Sequence, residues 1–198
     1  MRIFGFAGGS GSGKTTLIEQ IVPRLTSHGL VVSLIKQAHR KFDVDQPGKD
    51  SWRHRRAGCT EVLLTGSNRW ALMHELRGAR ELSLDGALAR LSPCDLVLVE
   101  GFKADPTPKM EVWRPEVGKA PLHPDDPHIL AIATDSPEPL RPTSRGLPIF
   151  DLGDYDAIAT FVARHACDLP WQGARDRGRP AHAVGDESPP GTDRADFR

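Results

Sequence analysis

The amino-acid sequence predicts an α/β fold: a doubly wound, mostly parallel sheet with an inserted β-hairpin. Three features support this prediction. A short apolar segment at residues 3–7 leads into a glycine-rich turn, which opens an amphipathic segment beginning at Lys14. Nearly continuous apolar runs, typical of strands buried on both faces of a parallel sheet, follow at 30–35, 96–99 and 128–133. The alternation of strand and helix is the pattern of doubly wound folds.

The turn after the first strand has the spacing of a Walker A phosphate-binding loop, G-x-x-x-x-G-K-[ST]. Glycine lets several backbone N–H groups converge on phosphate oxygens, and the positive end of the following helix stabilises the anion. A flexible Gly/Ser linker is the alternative, but the position between strand and helix favours a nucleoside triphosphate site. The predicted phosphate-binding residues are Gly8, Gly9, Ser10, Gly11, Ser12, Gly13, Lys14, Thr15 and Thr16.

Three residues are predicted to hold Mg²⁺ or to orient a reacting water. The Thr15 hydroxyl follows the Walker lysine, where it can bind a phosphate-bridging Mg²⁺. Glu100 stands at the C-terminal tip of an apolar strand, where P-loop proteins place a carboxylate for the metal or the water. Asp50 is favoured among the aspartates of segment 43–50, although a charged, solvated loop explains those aspartates equally well. Glu100 and Asp50 are the predicted catalytic residues.

Two more residues are predicted to contact the nucleotide. Lys36 ends the second strand and is a second phosphate contact. Asp135 follows the strand at 128–133, where many GTP-binding P-loop proteins recognise the N–H groups of guanine. A residue of an ordinary turn at the strand end is the alternative for Asp135.

The spacing of apolar residues predicts the other elements. Residues 14–28 form a predicted helix that Pro23 kinks or loosens and that stops near Gly29. Runs at 60–65 and 69–76 flank a Gly-Ser-Asn turn and predict a β-hairpin at 60–76, a natural dimerisation arm. The remaining predicted elements are helices at 49–57, 82–91 and 154–166, strands at 109–113 and 147–150, and a disordered tail at 172–198 that leaves one nucleotide-binding domain at 1–171.

The composition excludes several classes of partner. The chain of 198 residues carries 26 basic and 26 acidic residues, so no strong field favours nucleic acid or an anionic membrane. Its three cysteines have no metal-ligand spacing, which favours free thiols in a reducing compartment. The first strand begins almost at Met1, and no apolar run is long enough to cross a membrane. We expect a cytoplasmic protein.

Four segments together resemble the molybdopterin-guanine dinucleotide biosynthesis adaptor family, MobB. They are the loop at 8–16, the strand end at 35–36, the block at 42–58 with its Phe-Asp-Val-Asp and Pro-Gly-Lys-Asp-Ser sequences, and the strand with its tip at 97–103. The resemblance covers residues 1 to about 165, and the block at 42–58 is its distinctive part, because Walker A loops occur in many families.

The resemblance implies a homodimer that binds GTP and Mg²⁺ and has low GTPase activity. It also implies a MobA-like guanylyltransferase as partner, which attaches GMP to molybdopterin during molybdenum cofactor biosynthesis. Whether molybdopterin itself contacts this chain stays open; the surface near Phe102, Lys103 and Lys109 is the hypothetical contact. The family's histidine-rich run after the second strand is reduced here to His39, so a histidine-dependent role is not expected.

Three other functions are alternatives. A small-molecule or nucleotide kinase needs an acceptor pocket and usually an arginine-rich lid, of which segment 115–127 shows little. A metal-delivery GTPase needs a Cys/His site, and the scattered cysteines, His39 and His54 lack ligand spacing. A structural dimer with a non-functional site would respond to no nucleotide. The sequence shows no recognisable catalytic glutamine or arginine finger, so hydrolysis is expected to be slow.

Overall fold

The computed structural model describes residues 1–38 and 42–168. Its strands, in chain order, are β1 (Arg2–Ala7), β2 (Val32–Lys36), β3 (Glu61–Thr65), β4 (Trp70–His74), β5 (Leu96–Glu100), β6 (Lys109–Val112), β7 (Ile129–Thr134), β8 (Ile149–Asp151) and β9 (Cys167–Asp168). Its α-helices are α1 (Lys14–Ser27), α2 (Asp50–Ala57), α3 (Leu84–Leu88) and α4 (Tyr155–His165), and short 3₁₀ turns occur at Pro115–Val117 and Glu138–Leu140.

The central sheet has the predicted doubly wound, mostly parallel architecture. Its strand order is β2-β5-β1-β6-β7-β8, and each neighbouring pair in this order is parallel. Strand β9, which the sequence did not predict, pairs antiparallel with Arg2 and Ile3 at the start of β1. Strand β6 pairs with β1 from Gly5 onward, so the two strands share the same side of β1. The parallel strands bring the ends of β1, β2, β5, β6 and β7 to one edge of the sheet, where the phosphate-loop sequence lies.

Helices cover both faces of the sheet. On one face, α1 and α4 pack on a core that includes Phe4, Phe6 and Leu98. On the other face, α3 packs with Leu84 and Leu88 on the residues of β1, β2 and β5 that point that way. Helix α3 is shorter than predicted. It starts at Leu84 because Ser83 caps it, the Ser83 hydroxyl accepting a hydrogen bond from the N–H of Gly86, and it ends at Leu88.

Helix α1 and strand β2 can be compared directly with the sequence prediction. Helix α1 continues through Pro23 to Ser27, so the proline does not end it. The prediction that β2 is buried on both faces is wrong, because β2 is an edge strand, with β5 as its one neighbour among the described strands. Ile35 packs toward α3, but Leu34 on the opposite face is 44% exposed. An apolar run by itself cannot distinguish an edge strand from a central one.

The predicted hairpin is present as a separate two-stranded sheet, β3–β4, paired from Glu61–His74 to Thr65–Trp70. Arg55 of α2 connects this arm to the preceding loop. Its guanidinium donates hydrogen bonds to Asp43, Asp45 and Glu75, the last of which follows β4 directly. Arg77, after β4, also donates hydrogen bonds to the carbonyls of Arg55 and Cys59, so two arginines hold the arm in a defined position relative to α2.

Some expectations fall outside the described residues. They are the disordered tail at 172–198, the domain limit at 171, and His39. Within the described residues, the helices are all too short or too polar to cross a bilayer.

Lys109 at the start of β6 is the most deeply buried cation of the described residues. Its side chain is 2% exposed, and its ammonium donates to the carbonyls of Lys103 and Asp105 and to the carboxylate of Asp126. All three N–H donors are thus engaged. The hypothesis that Lys109 contacts a pterin or a partner is wrong, because its ammonium fixes the loop after β5 instead.

We expect Lys109→Met to lower the free energy of unfolding by about 3 kcal/mol, because it leaves Asp126 and two carbonyl groups without their donor. Urea denaturation would measure the loss. The control is Arg141→Met, which removes an exposed ion pair with Glu138 and should cost less than about 0.5 kcal/mol. Equal losses in the two variants would contradict a structural role for the buried lysine.

Candidate functional site

The loop between β1 and α1 has a backbone that requires glycine. Gly8 has φ +144°, and a Cβ there would lie 2.2 Å from the carbonyl oxygen of Val112 at the end of β6. Gly13 has φ +97° and precedes α1 without a side-chain cap, and no acidic residue stands in the first turn. The first N–H groups of α1 are therefore available to an anion at the positive end of the helix.

Lys14 lies across this loop. Its ammonium donates to the carbonyl of Gly9 at 2.6 Å and to that of Gly8 at 3.2 Å. Burial lowers the pKa of Lys14 below its ordinary value; Glu100 opposes this shift, and Lys103 and Lys36 add to it. Several positive charges thus converge on the loop, as the binding of a polyanion requires.

Thr15, Glu100 and Lys36 meet at the ends of α1, β5 and β2. The Thr15 hydroxyl donates to Oε1 of Glu100 at 3.0 Å, and the Lys36 ammonium lies 3.1 Å from both the Thr15 hydroxyl and Oε2 of Glu100. Glu100 is 8% exposed. The structure therefore brings together three residues that the sequence singled out separately.

The donor set at this point fits a divalent cation. Oε2 of Glu100 is a buried carboxylate oxygen without a partner in hydrogen-bond geometry, although Lys36 lies within ion-pair distance. A carboxylate and a hydroxyl beside a phosphate site are the kind of oxygen ligands that Mg²⁺ takes. Thr15 and Glu100 are thus the residues that could hold the metal.

The aspartates of the 43–50 segment lie apart from these residues. Asp50 opens α2, its side chain is 89% exposed, and it forms an ion pair with Arg53 on the same helix. Asp43 and Asp45 bind Arg55. The N–H of Asp45, and then Arg55, lower the pKa of Asp43. A role of Asp50 at the metal or in catalysis stays a prediction.

Gln37 is a residue of this site that the sequence did not single out. Its side-chain oxygen accepts a hydrogen bond from the N–H of Phe102 at 2.9 Å, and its own N–H donates to the carbonyl of Glu100. Gly101 has φ +105°, and a Cβ there would lie 2.7 Å from Cβ of Gln37. This close approach holds the backbone of Glu100 against the end of β2.

The segment after β6 covers the phosphate loop. Its 3₁₀ turn places Val117 and Lys119 over Gly9, where a Cβ would lie 2.8 Å from the Val117 methyl and 3.3 Å from Cγ of Lys119. Arg114 lies beside Gly13, and its Nε is 3.0 Å from the carboxylate of Asp135. The sequence shows little sign of a basic lid in segment 115–127. The order of residues does not show that β6 lies beside β1, which brings the segment after β6 over the phosphate loop.

A cavity of about 280 Å³ opens beside the start of α1. The predicted base-binding Asp135 lines it, together with Asp151 from the end of β8. Its other walls come from the start of α1, the segment after β6 and the segment between β8 and α4: Gly13, Thr16, Leu17, Arg114, Leu152, Gly153 and Tyr155. Its size is near the lower end of small-molecule sites, and it adjoins the phosphate loop.

The remaining residues of the loop follow the same geometry. Ser12 is buried and its N–H donates to the carbonyl of Gly9, whereas Ser10 and Gly11 are exposed at the loop tip. Thr16 faces the cavity. The loop thus exposes its tip while its base is packed.

Comparison with known proteins identifies the family. Residues 3–135 match the family model for MobB, molybdopterin guanine dinucleotide synthesis protein B. The chain belongs to the MobB family. It is 41% identical over 162 residues to the molybdopterin-guanine dinucleotide biosynthesis adapter protein of Haemophilus influenzae, covering 81% of this chain and 86% of the relative. It is 38% identical over 163 residues to the adapter protein of Escherichia coli, covering 81% and 90%.

Solved MobB structures have the same fold. The crystal structure of molybdopterin-guanine biosynthesis protein B aligns with a TM-score of 0.63 at 27% identity, covering 82% of this chain and 98% of that chain. Bacillus subtilis MobB aligns with a TM-score of 0.66 at 24% identity, covering 85% and 100%, which supports the fold alone. The predicted P-loop fold and the MobB resemblance are confirmed.

We expect Gly8→Ala to lower the free energy of unfolding by about 3 kcal/mol more than Gly11→Ala. Both glycines have positive φ, so both variants strain the backbone, but a Cβ at Gly11 meets nothing within 4 Å whereas one at Gly8 collides with Val112. Urea denaturation of the two variants isolates the collision. Similar losses would contradict the close packing of the loop on β6.

Proposed function

We propose that this chain is a GTP-binding adaptor with at most slow GTPase activity, which assists the attachment of GMP to molybdopterin. The contact of the Walker A residue Thr15 with the buried Glu100 carries the proposal, because a hydroxyl and a carboxylate beside a phosphate loop are the oxygen ligands that a phosphate-bound metal would need, and the chain belongs to the MobB family. A cytoplasmic location, in keeping with the free thiols of Cys59, Cys94 and Cys167, is part of this proposal.

The phosphates of GTP would lie against the backbone N–H groups of the loop from Gly8 to Thr16. Lys14 and Lys36 would stabilise their negative charge. Mg²⁺, held by Thr15 and Glu100, would supply further neutralisation of phosphate charge. Each of these residues lies at the C-terminal edge of the sheet, where doubly wound folds bind ligands.

Guanine would occupy the cavity beside α1. A carboxylate there can accept hydrogen bonds from both N1–H and the N2 amino group of guanine, whereas adenine offers an acceptor at N1. Asp135 is the proposed reader of this edge. Its pairing with Arg114 means that the base would compete with a guanidinium for the same carboxylate.

The chain's own groups favour holding the nucleotide over hydrolysing it. A glutamine orients the attacking water in some other P-loop proteins, but the side-chain oxygen of Gln37 accepts a hydrogen bond from the N–H of Phe102. A slow GTPase suits an adaptor for a MobA-like guanylyltransferase. Contact with molybdopterin remains a hypothesis for the surface near Phe102 and Lys103.

A kinase is the second candidate, because Arg114 and Lys119 do lie against the phosphate loop as lid residues would. A metal-delivery GTPase gains no support, since the described residues contain no group of three or more His, Cys, Asp or Glu that could hold a metal ion.

Calorimetric titration with Mg²⁺ and GTP, ATP or GDP tests the proposal. We expect GTP to bind most tightly and Lys14→Ala to abolish binding, because it removes a cation from the loop. A preference for ATP with transfer to an acceptor would establish the kinase instead. Binding of no nucleotide by the wild type would contradict a GTP-binding adaptor.

Asp135→Asn tests the base site. Asparagine can donate to O2 of xanthine, which replaces the N2 amino group of guanine, so we expect the variant to lose about tenfold in affinity for GTP and gain about tenfold for XTP. Asp151→Asn is the matched control in the same cavity and should leave this ratio near the wild-type value. Loss of GTP without a gain of XTP would contradict base recognition by Asp135.

The hairpin is the proposed dimerisation arm. Leu63 pairs directly with Leu72, and Trp70 lies on the same face; Trp70 is 65% exposed. A two-stranded sheet alone is marginally stable in water, and three large exposed apolar side chains on one face would be covered in a homodimer. The other face carries Leu64, also exposed.

We expect Leu63→Glu to weaken the dimer at least about tenfold, because it places a charge inside the proposed interface. Analytical ultracentrifugation over a range of concentrations measures the dissociation constant. Leu82→Glu alters an exposed leucine outside the arm and serves as the control. A monomeric wild type, or an unchanged dimer of Leu63→Glu, would contradict the proposed arm.

A further inference from the structure

The ammonium of Lys36 lies next to the side-chain oxygens of Thr15 and Glu100, the two proposed metal ligands. It donates to the Thr15 hydroxyl at 3.1 Å and is 3.1 Å from Oε2 of Glu100. Thr15 in turn donates to Oε1 of Glu100 at 3.0 Å. The lysine, the hydroxyl and the carboxylate thus form a closed set of three groups in which one cation already neutralises the acid.

A divalent cation at these oxygens would compete with the Lys36 ammonium in its present position. Mg²⁺ takes oxygen ligands at about 2.0–2.1 Å. A metal bound to Thr15 and Glu100 would therefore lie within a few ångströms of the ammonium, and two positive charges that close in a partly buried site repel strongly. In this position the Lys36 ammonium opposes the binding of a metal at Glu100.

Lys36 can move, whereas Lys14 is more restrained. The side chain of Lys36 is half exposed and extends from the end of the edge strand β2, with β5 as its one neighbour in the described part of the sheet. Lys14 contacts two carbonyl groups and the Ser12 hydroxyl within its own loop. A triphosphate on the loop would offer the Lys36 ammonium a second anionic partner.

We propose that Lys36 excludes divalent metal from Thr15 and Glu100 until a polyphosphate draws its ammonium away. The proposal rests on the nucleotide site described above and adds a regulatory role to a predicted phosphate contact. Metal binding and triphosphate binding then favour each other, and by linkage each raises the affinity of the other by the same factor.

This role can be tested by titration with Mn²⁺ in the absence of nucleotide. Electron paramagnetic resonance measures the concentration of the free ion during the titration. We expect Lys36→Gln to bind Mn²⁺ about tenfold more tightly than the wild type, because Glu100 is then released from its internal cation. Lys36→Arg keeps the charge and should stay near the wild type. Glu100→Gln in the Lys36→Gln background should remove the gained affinity.

Lys103→Gln controls for a general loss of positive charge. Lys103 also lowers the pKa of Lys14, but within residues 1–38 and 42–168 it forms no ion pair with Glu100, so its removal should change Mn²⁺ affinity much less than Lys36→Gln does. Equal gains in both variants, or no gain in Lys36→Gln, would overturn the proposal. Thermal unfolding of each variant checks that the fold is retained.

The same proteins separate this inference from the proposed function. GTP should raise the Mn²⁺ affinity of the wild type by a certain factor. The corresponding factor should be smaller in Lys36→Gln. If GTP binds and the factor is equal in both proteins, Lys36 does not gate the metal, although the nucleotide site stands. If no nucleotide binds while Lys36→Gln still gains Mn²⁺ affinity, the proposed function fails and the exclusion of metal by Lys36 is supported.

Discussion

The buried carboxylate of Glu100 is the interaction partner on which the candidate site depends. It accepts a hydrogen bond from Thr15, forms an ion pair with Lys36, and opposes the effect of burial on the pKa of Lys14. Without this charge, the positive charges of Lys14 and Lys36 would repel each other with no carboxylate to offset them. One side chain at the tip of β5 thereby connects α1 and β2 electrostatically.

Close backbone approaches hold the frame around this carboxylate. Gly8 passes so near the end of β6 that no side chain fits, and a Cβ at Gly101 would lie 2.7 Å from Cβ of Gln37. The hydrogen bond from Phe102 to Gln37 adds a third connection. The backbone of the site is therefore rigid, and the groups that can exchange partners are long side chains, Lys36 and Arg114, each of which ends at a carboxylate. This division supports the proposal that the chain binds a nucleotide by exchanging ion pairs.

Much of the fold and part of the site followed from local sequence. The phosphate loop is contiguous in sequence, so it can be recognised from the spacing of Gly8, Gly13 and Lys14 alone. The MobB resemblance is confirmed. Glu100 could be placed at the site edge because parallel strands bring their C-terminal ends together. The hairpin followed from two apolar runs around a short polar turn. The edge position of β2 did not follow, because an apolar strand has the same composition at the edge as in the centre.

The sequence by itself determined the class of fold, the phosphate loop and the residues at strand tips, since these depend on neighbours within a few positions. Only the tertiary structure decided which of those residues meet. Lys36 reaches Glu100 because β2 lies beside β5, and Arg114 reaches Asp135 because β6 lies beside β7. The same packing of strands buries the side chain of Lys109. Strand order arises from burial and crossover geometry over the whole chain, and no local pattern of residues encodes it.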